Sequence, residues 1–235
     1  MKQVAYITDI HLDDSFPINA GVDPRKNWQT ILADVRKREI TDIILGGDMG
    51  EPVSLAYFFD SLKGSRINMS LGNHDKFHEI IKHCPKHSEG TDELYYSFEE
   101  GNYKYIFMDS SSNKISDAQF HWLLYEMITD KQILLFIHHP LLEVNTQVDK
   151  LYPLLNRDQV HSALQDIPNK VTVFSGHYHM SDEKKMGNIT QHVTHAASVQ
   201  LVKDAPFIET DNSTFGYRIL TINEDSIETE LVTFT

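Results

Sequence analysis

Five short clusters hold the residue types that could do chemistry: Asp9-Ile10-His11, Gly46-Gly47-Asp48, Gly72-Asn73-His74-Asp75, His138-His139-Pro140 and Gly176-His177-Tyr178-His179. Together they offer carboxylates, an amide and imidazoles but no thiolate, a mixed nitrogen and oxygen donor set that suits Mn, Fe, Zn or Co. The chain has 13 histidines in 235 residues, so an imidazole-rich centre is affordable without exhausting them. Two cations ~3.5–4 Å apart can share a hydroxide, neutralise phosphoryl oxygens and orient an in-line displacement. That is what hydrolysis of a phosphate ester near neutral pH requires. Ions held so close need a common anion between them, and Asp48 is the candidate.

The elements that must position these clusters are legible around them. Short apolar runs predict strands over residues 4–8, 43–45, 67–71, 103–108, 132–137 and 171–175. Nearly every cluster follows the end of one. Helices are predicted from Asp23-Pro24, a cap followed by proline at the first helical position, to about Arg38. Others cover residues 53–62, a segment starting at Ser116-Asp117 with Phe120, Leu123, Leu124 and Met127 on one side, and about 157–164. Residues 217–222 and 227–233 read as a C-terminal hairpin. Alternation of strand and helix predicts an α/β protein with a mostly parallel sheet. In such sheets ligands bind beyond the carboxyl ends of the strands, so five strand ends would deliver the clusters to one crevice. The glycines at 47, 72 and 176 directly precede candidate ligands and let backbone approach closely. No composition break divides the chain, and one domain over residues 1–235 is expected.

Composition excludes several classes. Net charge is −13, which argues against a surface that grips a nucleic-acid backbone or anionic lipid. A small phosphate-bearing substrate stays open, because bound cations reverse the local sign. The one cysteine, Cys84, excludes an internal disulfide framework and a cysteine-cluster metal site. The longest apolar runs, such as residues 133–137, fall far short of the ~20 needed to span a bilayer. The N-terminus meets Asp9 too soon for a signal peptide, so a cytoplasmic location is expected.

Taken in order, Asp9-x-His11, Gly47-Asp48, Gly72-Asn73-His74-Asp75, His138-His139-Pro140 and Gly176-His177-x-His179 resemble the motifs of the calcineurin-like metallophosphoesterases over nearly the whole chain. Secondary stretches resemble the bacterial class III 3′,5′-cyclic-nucleotide phosphodiesterase branch. These are Ile115-Ser116-Asp117-Ala118-Gln119, Leu155-Asn156-Arg157-Asp158, Ser198-Val199-Gln200-Leu201 and Gly216-Tyr217-Arg218. The resemblance implies a four-layer αββα sandwich of two mixed sheets flanked by helices. It implies two divalent or trivalent metal ions per chain, Mn and/or Fe first, Zn or Co next. Asp9, His11, Asp48 and His179 would hold one ion; Asp48, Asn73, His138 and His177 the other, with Asp48 bridging. His74 matches the histidine that binds no metal and faces the phosphate, protonating or stabilising the leaving oxygen. Asn73, His74 and His139 are the candidate substrate contacts, with His139 open between touching substrate and supporting a ligand. The implied reaction is hydrolysis of a phosphodiester such as cAMP by in-line attack of a metal-bridging hydroxide. Glycerophosphodiesters or a broad range of phosphoesters are the alternative. A catalytically silent scaffold of the same fold would be expected to have lost a ligand or the non-ligand histidine, and none is missing. The implied partner is a small-molecule phosphodiester, with no nucleic-acid polymer and no membrane, and a homodimer is the assembly that such relatives often form. Tyr178, where relatives often carry an aliphatic residue, and Ala196-Ala197, where they often carry a proline, depart from the pattern near the expected pocket rim.

Other signals carry less. His78 and His83 nearly copy a zincin motif, but at five residues apart on a helix their rings point ~140° apart. No Walker loop, nucleophile elbow or cysteine-phosphatase loop is present. His192 and His195 read as structural, His87, His121 and His161 as surface or capping residues, and residues 83–92 as a candidate lid.

Overall fold

The computed structural model describes residues 1–84 and 92–235. In chain order the elements are β1 (Lys2–Ile7), α1 (Ser15–Asn19), α2 (Pro24–Lys37), β2 (Asp42–Leu45), α3 (Leu55–Ser61), β3 (Arg66–Met69), α4 (Phe77–Ile80), β4 (Tyr96–Glu100) and β5 (Tyr103–Met108). They continue with α5 (Asp117–Glu126), β6 (Gln132–Ile137), α6 (Gln147–Leu151), α7 (Arg157–Gln165), β7 (Val171–Ser175), β8 (Asp182–Met186) and β9 (Ile189–Val193). A two-residue pair, β10 (Gln200–Leu201) and β11 (Thr210–Asp211), precedes the hairpin β12 (Phe215–Ile222) and β13 (Ile227–Phe234).

Two mixed sheets form, not one. The first has order β13-β12-β1-β2-β3 and the second β4-β5-β6-β7-β9-β8. Within them β1, β2 and β3 run parallel, as do β5, β6 and β7, so their carboxyl ends share one edge. Each central strand is buried on both faces, which explains why it reads as a continuous apolar run. In β1, Val4 and Tyr6 point between the sheets while Ala5 and Ile7 point to the helices. In β6, Leu134 and Phe136 point inward, and Ile133, Leu135 and Ile137 point to the other helical layer. The middle of the sandwich is a ring stack: Phe107, Phe136 and Phe174 have centroids 4.9 and 5.3 Å apart in sequence, with planes within 17°. Helix α2 covers the first sheet through Trp28, Ile31, Leu32 and Val35. Its Asp23 cap accepts from the Lys26 amide at 3.1 Å and Pro24 begins the helix, as predicted. Helices α5 and α7 cover the second sheet.

Several expectations need correction. Leu124 is 39 % exposed because it lies ~100° round α5 from the buried Leu123. Gln119 takes the buried place, bonding both backbone groups of Asp109. The helix predicted over residues 53–62 begins with a 3₁₀ turn, Pro52–Ser54, and leaves Val53 exposed. Strand β3 stops at Met69, since the chain turns after the Ser70 amide reaches Leu45. His78 and His83 do not share a helix, as α4 ends at Ile80. His87 and most of the candidate lid at residues 83–92 lie outside the described residues.

Candidate metal centre

The ends of β1, β2, β3, β6 and β7 converge, and the chain adopts unusual backbone to make them do so. Asp9, His11, Asp48, His177 and His179 all have φ between 46° and 68°. Left-handed backbone is uncommon for residues with a Cβ and costs about 1–2 kcal/mol each. Its concentration at five of seven candidate ligands marks a place where geometry is held against local preference. Close approach does the rest. A Cβ at Gly176 would overlap Thr8 and the Asp9 carboxylate, and one at Gly72 would overlap the Asp48 carboxylate.

Three groups of donors result among the described residues, each with its ligand atoms within 4.8 Å of one another: Asp9, His11 and His179; Asp48, His138 and His177; and, at the rim, His11, Asp14 and His74. The first two gather ligands expected from the sequence. Asp48 Oδ2 lies between them, 3.5 Å from His11 Nε2 and 3.1 Å from His138 Nε2. Every imidazole has its second nitrogen committed elsewhere. His11 Nδ1 bonds Asp14, His138 Nδ1 donates to the Gly46 carbonyl at 2.7 Å, His177 Nε2 to the Tyr152 carbonyl at 2.9 Å and His179 Nδ1 to the Val199 carbonyl at 2.6 Å. Each ring therefore turns its other nitrogen inward, the atom that a metal would take. His11 Nε2 and His179 Nε2 then face each other at 3.2 Å. Two nitrogens at about 2.1 Å from one ion would lie about 3.0–3.4 Å apart, which matches that separation. His138 Nε2 and Asn73 Oδ1 are buried with no hydrogen-bond partner in the protein, a costly state unless something else satisfies them. The donor set fits a pair of metal ions.

Electrostatics agree. Burial pushes the Asp48 carboxyl up, but the surrounding His138, His11 and His74 outweigh it and hold it well below the usual range. Burial pushes His138 down, yet Asp48 and Asp9 raise it to about 10.

Residues that sequence reasoning missed support the ligands. Asp75 accepts the amides of Asp48, Met49 and Gly72 at 2.7, 2.9 and 2.9 Å. Burial and the neighbouring Asp48 charge raise it to about 7. Asp14 accepts from the His11 ring at 3.0 Å. His139 meets Ser110 and Asn113 with its two nitrogens at 2.9 and 3.0 Å and packs on the His177 ring at 3.9 Å between centroids. Both its nitrogens are engaged behind His177, and His139 is not among the residues that line the cleft. His192 and His195 belong to none of the donor groups. Tyr178 turns away from the cleft to donate to the buried Asp149, which also pairs with Arg157.

The centre opens into a cleft of about 580 Å³. It is lined by His11, Asp48, Asn73, His74, His177 and His179 together with apolar Phe16, Val148, Tyr152, Leu201 and Ile208, Phe16 lying edge-on to the His11 and His179 rings. No lysine or arginine lines it among the described residues.

Comparison with known proteins places these features in context. Residues 2–181 match the family described as calcineurin-like phosphoesterase. A Fibrobacter succinogenes protein named as a probable cyclic nucleotide phosphodiesterase is 26% identical over 97% of this chain and 93% of its own length. A Nostoc protein named as a 3′,5′-cyclic-nucleotide phosphodiesterase is 24% identical over 94% of this chain and 88% of its own. Among solved structures, a dimetal phosphatase from Danio rerio superposes with a TM-score of 0.73 at 12% identity, covering 98% of this chain and 95% of that one. This last likeness concerns the fold.

Proposed function

Because the chain belongs to the calcineurin-like phosphoesterase family, we propose that it is a dinuclear metal-dependent phosphodiesterase acting on a 3′,5′-cyclic nucleotide such as cAMP. The observation that carries this reading is the pair of donor groups meeting at Asp48 Oδ2, opening into a cleft that five apolar side chains help to line. The names of the Fibrobacter and Nostoc relatives point the same way.

Asp9, His11, Asp48 and His179 would hold one ion, and Asp48, Asn73, His138 and His177 the other, with Mn and/or Fe favoured and Zn or Co next. When bound, the ions supply Lewis acidity toward the phosphoryl oxygens and activate water. Asp48 contributes the shared carboxylate. His74, whose ring lines the cleft, meets the leaving oxygen and gives it a proton. The apolar side chains of Phe16, Val148, Tyr152, Leu201 and Ile208 receive a flat base. Among the described residues no lysine or arginine lines the cleft, so there the balance of the phosphate charge would fall to the cations. That suits the single charge of a diester better than the double charge of a monoester. A glycerophosphodiester, polar throughout, would leave those apolar side chains unused. A cytoplasmic location and a homodimer are further expectations of this reading.

A turnover panel with Mn tests it: cyclic nucleotides, bis(4-nitrophenyl) phosphate, 4-nitrophenyl phosphate and glycerophosphodiesters side by side. Cyclic-nucleotide opening with two metals per chain is expected. A fully loaded protein that leaves every cyclic nucleotide intact while cleaving another diester refutes the substrate. Less than one tightly bound ion and no turnover refutes the enzyme.

A further inference from the structure

His74 is the one candidate site histidine exposed to water, its side chain 46 % accessible. Its amide is held by Asp48 Oδ1 at 2.8 Å, but that bond leaves the ring free to turn. An imidazole at an open rim samples several rotamers, and ordering it costs free energy. What faces it is Asp14, whose Oδ2 lies 3.2 Å from His74 Nδ1. The same oxygen accepts from His11 Nδ1 at 3.0 Å, and the two rings meet edge to face with centroids 4.8 Å apart. One carboxylate oxygen has lone pairs for both. Asp14 is itself held firmly. Its side chain is 10 % exposed, its Oδ1 caps α1 by accepting from the Phe16 amide at 2.9 Å, and its amide donates to the His11 carbonyl at 3.0 Å. The adjacent Asp13 turns the other way, to Arg25 and Ser54, so only Asp14 serves the cleft.

We infer that Asp14 is a positioning residue for His74, its shared oxygen fixing the ring so that Nε2 meets the leaving oxygen, while also fixing the His11 tautomer. This rests on the phosphodiesterase reading, in which His74 delivers a proton to the leaving group. Asp14 then links the ring that would hold metal to the ring that serves the leaving group. Asp14 shares a group of donor atoms with His11 and His74, but its Oδ2 is already engaged by both rings.

The test variant is Asp14→Ser. Serine is an equally good helix cap, so α1 keeps its start, but its hydroxyl is one bond too short to reach His74. At saturating Mn, which offsets weakened support of His11, kcat is compared on a 3′,5′-cyclic nucleotide and on bis(4-nitrophenyl) phosphate. The nitrophenolate leaves without needing a proton. Asp14→Ser is expected to lose about 10-fold more on the cyclic nucleotide than on the nitrophenyl diester, with KM nearly unchanged. In a His74→Ala background it is expected to add less than about twofold. Imidazole ¹⁵N NMR of the metal-free protein supplies a readout independent of turnover. The His74 ring should show a dominant Nδ1–H tautomer in the parent and lose that preference in Asp14→Ser. Equal losses on both substrates, a further loss in the His74→Ala background, or an unchanged tautomer would each overturn the inference. A parent protein that cleaves no phosphodiester sinks the functional reading instead, and the NMR comparison still decides what Asp14 does to the ring.

Discussion

Replacing Asp75 by asparagine removes one oxygen from a carboxylate that receives three backbone amides. Oδ2 takes Asp48 and Gly72, and Oδ1 takes Met49. The better asparagine orientation keeps its carbonyl on the first two and turns its NH₂ toward the Met49 amide, donor against donor. One buried N–H left unsatisfied costs about 1–3 kcal/mol. About 2 kcal/mol is a fair central value. For a protein of this size that lowers Tm by about 4–8 °C. The pH dependence follows from the raised Asp75 carboxyl, about 7 against an ordinary 3.8. A carboxyl raised on folding contributes fully below its unfolded value and loses that contribution as pH climbs toward the folded one. In the metal-free protein the parent therefore weakens between about pH 4 and 7, whereas the asparagine variant, always neutral, does not. Thermal unfolding by circular dichroism at pH 5 and pH 7.5 should show the larger Tm gap at pH 5. The turn 47–49 also places Asp48, so metal content should fall with Tm. Equal Tm values at both pH values, with two metals retained, would refute the reasoning.

Other outcomes follow from the same geometry. Asp48→Ala removes the oxygen between the two donor groups and should abolish metal occupancy and turnover together, read by elemental analysis and by hydrolysis at saturating Mn. His74→Ala should keep both metals but slow cyclic-nucleotide opening by about 10²-fold or more; metal loss in this variant would mean that His74 has been given the wrong role. Gly176→Ala would drive a methyl group into Thr8 and the Asp9 carboxylate, so metal content should drop even though a helix propensity scale would call the change benign.

The central strands and the ligand clusters were readable for one physical reason. Strand β6 is buried on both faces, so Ile133–Ile137 is an unbroken apolar run ended by the candidate ligand His138, and the mainly apolar β7 is followed within two residues by His177. Edge strands carry no such signal. β8 is Asp-Glu-Lys-Lys-Met, charge placed where an unpaired edge must stay soluble, and its turn through Gly187 shows only as a positive φ. The stretches shared with the cyclic-nucleotide branch acquire a reason in the fold. Ser198 donates to the Asp9 carbonyl at 2.7 Å and Val199 receives the His179 ring. Arg218 is buried against Thr194, Thr229 and the Val193 carbonyl. Asp14 was hidden because its importance lies in which way it turns: Asp13 and Asp14 are identical letters with opposite partners.

Neither of the two ligand groups belongs to one sheet. Asp9 and His11 wait on the first sheet for His179 from the second, and Asp48 waits for His138 and His177. An ion offered to either half before they meet finds at most a fragment of a chelate, so capture of metal reports that the two layers have closed. A bound pair would then act as a rivet across the seam, with a holding strength of RT ln(1 + [metal]/Kd). Stripping it with a chelator should loosen the packing of Tyr6 against Phe136 and Phe174 before it frays either sheet's own ladder.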